Sequence, residues 1–213
     1  TAGEQQLRTD LCDEAIRLAR LLVQLRPDEP EIEGLLALML LSHARRLART
    51  ASDGSLIALD MQDRTVWDHQ MIAEGIELIE TALGRKRPGP YQLQAAISAV
   101  HASSVSHQET GWNEIVHLYE RLHQMSANPV YLLNRAVALS FRDSAQDGLL
   151  AVAELQFELE DYQPFHAAKA DLLRRCSKLP EARIAYERAI SLTANESERA
   201  FLQYRLNNLS ASH

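Results

Sequence analysis

The sequence predicts an all-α fold: a right-handed superhelix of antiparallel helix hairpins, a tetratricopeptide-like α-solenoid of about ten helices. Three observations predict it. Leu, Ala, Arg, Glu and Gln dominate, and all are strong helix formers. Aromatic residues are only 6% of the chain and β-branched runs are almost absent, which excludes an extensive sheet. Five size-matched positions recur 34 residues apart: Ala136, Leu139, Gly148, Val152 and Leu155 reappear as Ala170, Leu173, Ala182, Tyr186 and Ala189. That is the period of tetratricopeptide repeats.

The elements follow from helical periodicity and its punctuation. A first helix spans about 5–26, with Leu7, Leu11, Ala15, Leu18 and Leu22 on one stripe, and Pro27-Asp28 ends it. Pro30, favoured in a first turn, opens a second helix to about 46. An irregular insertion follows at about 47–64; its Asp53-Gly54 pair signals a turn, and a small hairpin or an ordered loop would satisfy it. Helices resume at about 65–83, 90–103, 112–125, 129–141, 144–160, 163–177, 180–192 and 196–209. Pro88-Gly89-Pro90 breaks one helix and opens the next, and Asn128-Pro129 supplies a cap and a first-turn proline. Asn195, with Glu198 three residues on, fits a capping box for the terminal helix, which caps the array.

Small residues belong at the repeated positions because the two helices of a hairpin cross closely there. Gly148 is expected to face Ala136, and Ala182 to face Ala170. Looser copies are Ala96 with Ile115, Tyr119 and Leu122, and Ala37 with Gly75, Ile79 and Ala82, the latter with the insertion between its helices. Residues Ala15, Ala19 and Leu22 look like the second helix of a first repeat whose partner lies upstream. The whole of 1–213 then reads as one repeat domain.

Charge and motifs narrow the function. The net charge is −7, with Lys and Arg scattered among carboxylates. The densest basic stretch, Arg85-Lys86-Arg87, sits at a helix end where it complements the helix dipole. Direct DNA binding, which draws on a concentrated basic face, is disfavoured. Cys12 and Cys176 have no metal or redox spacing, so a reduced, cytoplasmic setting fits. The longest apolar run, 34–41, is too short to span a bilayer, and no signal peptide is visible. No phosphate loop, zinc motif or nucleophile elbow appears, and His117 and His123 are six apart, off the spacing that aligns two ligands. The expectation is a protein-interaction module without cofactor, metal or catalytic site.

Repeat arrays bind along the surface made by the first helix of each hairpin. That register selects Tyr91, Gln94, Ser98, His101, Asn134, Val137, Asp171 and Arg174, a mixed polar lining without a stacked Lys pattern. Asn134 falls where an amide can bond a peptide backbone or a neighbouring helix. The run 60–69 joins carboxylates, Arg64 and Trp67 just before a helix. Either it is a contact patch that orders the loop against a partner, or Trp67 packs in the core while Asp63 and Thr65 cap the helix; the second is simpler. The candidate partner contacts are Asp63, Arg64, Trp67, Tyr91, Gln94, His101, Asn134, Arg135, Asp171 and Arg174.

Several stretches carry a family resemblance. They are Asp10 to Leu18, Pro30 to Leu41 with Ala44-Arg45-Arg46, and Gln62-Asp63-Arg64 with Trp67-Asp68. Ile72-Ala73-Glu74-Gly75, Arg87 to His101, Leu133 to Ala138, and His166 to Arg175 complete the set. Together, across nearly the whole chain, they resemble the C-terminal tetratricopeptide-type extension of bacterial extracytoplasmic-function (ECF) sigma factors. The resemblance implies that sigma regions, which bind core RNA polymerase and the promoter, lie upstream of Thr1. It implies a regulatory role through contact with those regions, with polymerase or with a signalling protein, and DNA contact only through the sigma regions. The alternative is a free-standing scaffold or adaptor of the same repeat class, unrelated to transcription.

Overall fold

The computed structural model describes residues 2–52 and 54–209, with side chains from Asp10 onward. Asp53 of the expected turn and the Leu7 side chain lie outside the described residues. Among those described, the regular elements are ten α-helices and three short 3-10 turns, with no β-strand. The helices are α1 (Ala2–Leu25), α2 (Pro30–His43), α3 (His69–Gly84), α4 (Pro90–Ser103) and α5 (Trp112–Met125). They continue as α6 (Pro129–Arg142), α7 (Ala145–Ala153), α8 (Gln163–Arg175), α9 (Leu179–Leu192) and α10 (Glu196–Asn207). The fold is all-α and of the helical-repeat type, as the 34-residue spacing predicts. The chain divides into two compact units, Thr1–Arg49 with Leu59–Gly111, and Thr50–Ala58 with Trp112–His213.

In the first unit α2 is central, packing against α1, α3 and α4, and α3 also touches α4. Gly34 and Gly75 make these crossings possible. A Cβ on Gly34 would lie 2.7 Å from the Gln92 backbone nitrogen, and one on Gly75 would lie 2.8 Å from Leu41 Cγ and 3.4 Å from the Ala37 carbonyl. Glu31 of α2 reaches across to the α4 N-terminus and accepts from the Tyr91 and Gln92 backbone N–H groups at 3.0 and 3.1 Å. A carboxylate there satisfies orphan donors and complements the helix dipole.

The expected stripe of α1 faces the wrong way. Leu11, Leu18 and Leu22 are exposed, whereas Ile16 and Ala19 are buried and pack with Leu36 and Leu40 of α2, joined by Val23. Leucines stand on both sides of α1, so spacing alone does not select the buried one.

In the second unit, α5–α6, α6–α7 and α8–α9 pack as hairpins, α7 packs on α8, and α10 closes on α9. Gly148 meets the Ala136 carbonyl as expected; a Cβ would lie 2.8 Å from that oxygen. Ala136, Ala170, Ala182 and Ala189 have no solvent exposure and share one core with Val152, Phe165 and Tyr186. Asn195 caps α10 by accepting from Ser197 and Glu198 N–H. In the segment 50–58, Thr50 and Leu56 form an isolated antiparallel bridge, with Gly54 at φ 85° in its turn, a conformation that favours glycine.

Two helix boundaries differ most from the sequence expectation. α7 stops at Ala153 instead of about 160. Beyond it, three-residue turns carry Leu155 and Leu159 into the core. Contacts from α8 hold this stretch: Lys169 Nζ donates to Gln156 Oε1 at 2.6 Å and His166 Nε2 to the Glu160 carbonyl at 2.7 Å. α3 begins at His69, not at about 65, and its cap is Asp68, whose side chain accepts from Met71 N–H. Asp63 and Thr65 instead close a 3-10 turn over Arg64–Val66, after which Trp67 is extended (φ −71°, ψ 147°).

Candidate functional site

Four of the sequence-selected residues gather at the C-terminal end of α4. Trp67 is 3% exposed and packs with Leu41, Ala44, Ala48 and Ile72. The Arg64 guanidinium carbon lies 4.7 Å from the Trp67 ring centroid, within cation–π range. Arg64 Nη1 donates to the carbonyls of His101 (2.6 Å) and Ser104 (2.7 Å). A cation from 37 residues upstream therefore caps the carbonyl end of α4, where the helix dipole favours it. Asp63 is exposed and spent locally, accepting from Thr65 N–H at 2.9 Å and Thr65 Oγ1 at 2.7 Å.

A fifth residue completes the cluster. Arg45 follows the end of α2, is largely buried, and places its guanidinium 5.8 Å from the same Trp67 ring. Burial, then the neighbouring Arg49 and Arg64 guanidiniums, pull it down to about 10. Among the described residues, none of Arg45, Arg49 and Arg64 is ion-paired with a carboxylate. Sequence reasoning did not single out Arg45; its only signal is its place in the run Ala44-Arg45-Arg46.

His101 senses this field. Burial first, then Arg45, His107 and Arg64, push it down to about 4 from 6.5. The imidazole is thus neutral in the folded chain at pH values where the unfolded chain takes up a proton. Its contribution is complete above pH 6.5 and is lost as pH falls from there toward 4. At pH 4.5 the loss amounts to about 2–3 kcal/mol. Urea midpoints at pH 7.5, 5.5 and 4.5 should show His101→Gln with a clearly flatter acid limb than the parent. Equal slopes would refute the assignment.

The other selected residues lie elsewhere. Tyr91 and Gln94 are at the opposite end of α4: Tyr91 is exposed, and Gln94 Nε2 donates to the Pro90 carbonyl of its own helix at 3.1 Å. In the second unit, Asn134 and Arg135 are half-buried on α6, with Arg135 Nε buried and unpartnered. On α8, Asp171 accepts from Arg174 at 2.8 Å and has Arg205 at 3.6 Å. The buried Tyr186 hydroxyl is raised by burial and by Asp171. Sequence reasoning missed Arg175, which donates to the hydroxyl and carbonyl of Ser140 at 2.7 Å each and stacks 4.3 Å over Phe141. It also missed an open cleft of about 630 Å³ bounded by Leu149, Lys169, Leu173, Lys178, Ile184 and Arg188. Among the described residues no group of three or more His, Cys, Asp or Glu side chains is placed to hold a metal, and no helix is long and apolar enough to cross a membrane.

Fold and site together define a helical-repeat protein with two separate networks of arginine-centred contacts. Residues 1–83, which include α1 to most of α3, match a family of unknown function (DUF6596). An uncharacterized protein of Rhizobium meliloti (strain 1021) is 44% identical over 209 residues, covering 98% of this chain and 49% of the relative. The chain spans about half the length of this curated relative. No solved structure matches.

Proposed function

We propose that this chain is the regulatory protein-interaction part of a longer ECF-type sigma factor, acting by binding and not by turnover. The observation that supports this reading most is the set of family-like stretches spread over nearly the whole chain, from Asp10 to Arg175. Those stretches include Arg45, Arg64 and Trp67, which gather near His101, as well as the α6 and α8 faces bearing Asn134, Arg135, Asp171 and Arg174. The Rhizobium meliloti relative has about as much chain again outside the matched part, which is room for polymerase- and promoter-binding regions. In this reading the partners are the sigma regions themselves, core RNA polymerase or a signalling protein. DNA is met only through the sigma regions, the setting is cytoplasmic, and no cofactor is needed.

The test is in vitro transcription with core polymerase. The longer protein carrying this chain is compared with a version from which it is deleted, alongside a pull-down of polymerase. Deletion is expected to change transcript yield severalfold while polymerase binding by the remainder persists. A longer protein that fails to bind polymerase at all would overturn the proposal and leave a scaffold or adaptor.

A further inference from the structure

We propose that the guanidiniums of Arg45 and Arg64 against Trp67, with Arg49 as an outer third cation, form a binding site for the phosphate group of a small phosphorylated molecule. The proposal goes beyond the transcription reading and does not depend on it.

Arg45, the most buried of the three, is acted on by both Arg49 and Arg64 and itself acts on His101, while Arg49 donates to the Ser42 carbonyl at 2.7 Å. Like charges brought together in a partly desolvated place are unfavourable unless something of opposite sign joins them. Of the described acidic residues near Arg64 in sequence, two are engaged elsewhere. Asp63 is taken up by Thr65, and Asp68 by the Met71 N–H and, at 3.7 Å, by Arg46. The carbonyls that Arg64 meets carry only partial charge.

A second observation, independent of the charges, is unused hydrogen-bonding capacity at the same place. Arg64 keeps Nη2 buried and unpartnered, and Trp67, 97% buried by its 3% exposure, keeps its indole Nε1–H unpartnered. Buried donors are ordinarily satisfied. A charged, forked donor beside a neutral N–H is equipment for an oxyanion; guanidiniums match a phosphate in particular through paired N–H groups. Three guanidiniums balance a phosphate dianion better than a single carboxylate. Both Arg45 and Arg64 are held against the Trp67 ring, 5.8 and 4.7 Å from its centroid, so the site is preorganised rather than assembled by the ligand.

The 213-residue chain is titrated with inorganic phosphate, glycerol phosphate and succinate at constant ionic strength set with chloride. Binding is read by calorimetry and by the Trp67 indole N–H resonance, told apart from that of Trp112 with a Trp112→Phe variant. Saturable binding of phosphate or its ester is expected, with the Trp67 signal shifting, a raised Tm, and at least tenfold weaker binding in Arg45→Gln. Tighter binding of glycerol phosphate identifies an organic ester as the ligand, and equal binding identifies free phosphate. Arg49→Gln, at an exposed side chain, is expected to weaken binding severalfold without altering the fold, and it carries the test if Arg45→Gln does not fold. Shifts that chloride reproduces, succinate binding as tightly as phosphate, or unchanged affinity in both variants would each overturn the proposal.

Discussion

Trp67→Ala is expected to destabilise the first unit by about 3–5 kcal/mol, the usual cost of emptying a large aromatic site in a core. The ring is the one aromatic side chain in a cluster with Leu41, Ala44, Ala48 and Ile72, where two of the neighbours are alanines with little reach to collapse inward. The loss extends beyond packing. Arg64 and Arg45 both lie against the ring, so two cation–π contacts go with it. Without that platform Arg64 no longer holds the His101 and Ser104 carbonyls at the end of α4. Urea denaturation should therefore show a large fall in midpoint, and hydrogen exchange should show faster opening at 98–104 as well as around residue 67. Trp67→Phe, which keeps an aromatic face and removes an unpartnered buried N–H, should lose less than half as much. A Trp67→Ala variant within 1 kcal/mol of the parent would refute this account of the cluster.

The difference between what the sequence disclosed and what it concealed is one of range. Gly148 against Ala136, and Gly75 against Ala37, were legible because close helix crossings admit only small side chains and the repeat imposes a fixed interval. Asn195 was legible as a cap because its partners are two and three residues away. The inward face of α1 was not, because leucines at 11, 18, 22 and 25 outnumber Ile16 and Ala19, the residues that pack on α2. Arg64 was selected for its company in the run 60–69, yet its task is to cap a helix 37 residues onward. Arg45 lies on the stretch after α2 and meets Trp67 only once the 21 intervening residues have folded back. Local pattern encodes elements and crossings; the convergence of charges is a tertiary outcome.

Gly34→Val is expected to cost more than about 3 kcal/mol and to unfold the first unit at modest urea, because the obstacle is backbone. A Cβ at Gly34 would stand 2.7 Å from the Gln92 nitrogen and 2.9 Å from its Cα. A side chain can swing aside, but Gln92 cannot: it is fully buried, its N–H is held by Glu31, and its Nε2 donates to Glu31 at 3.1 Å and to the Arg87 carbonyl at 2.9 Å. Relieving the clash means separating α2 from α4 along the crossing that Glu31 closes. Gly34→Ala isolates the same conflict with one methyl. In a free helix that change gains up to about 1 kcal/mol, so a net loss of about 1–2 kcal/mol would measure the crossing with the propensity term opposing it. Gly84→Ala, where a Cβ meets nothing within 4 Å, supplies the opposite sign in the same unit: a small gain from helix propensity alone. If Gly34→Ala and Gly84→Ala shift the urea midpoint in the same direction, the tight α2–α4 crossing does not exist in solution, and the placement of α4's two ends falls with it.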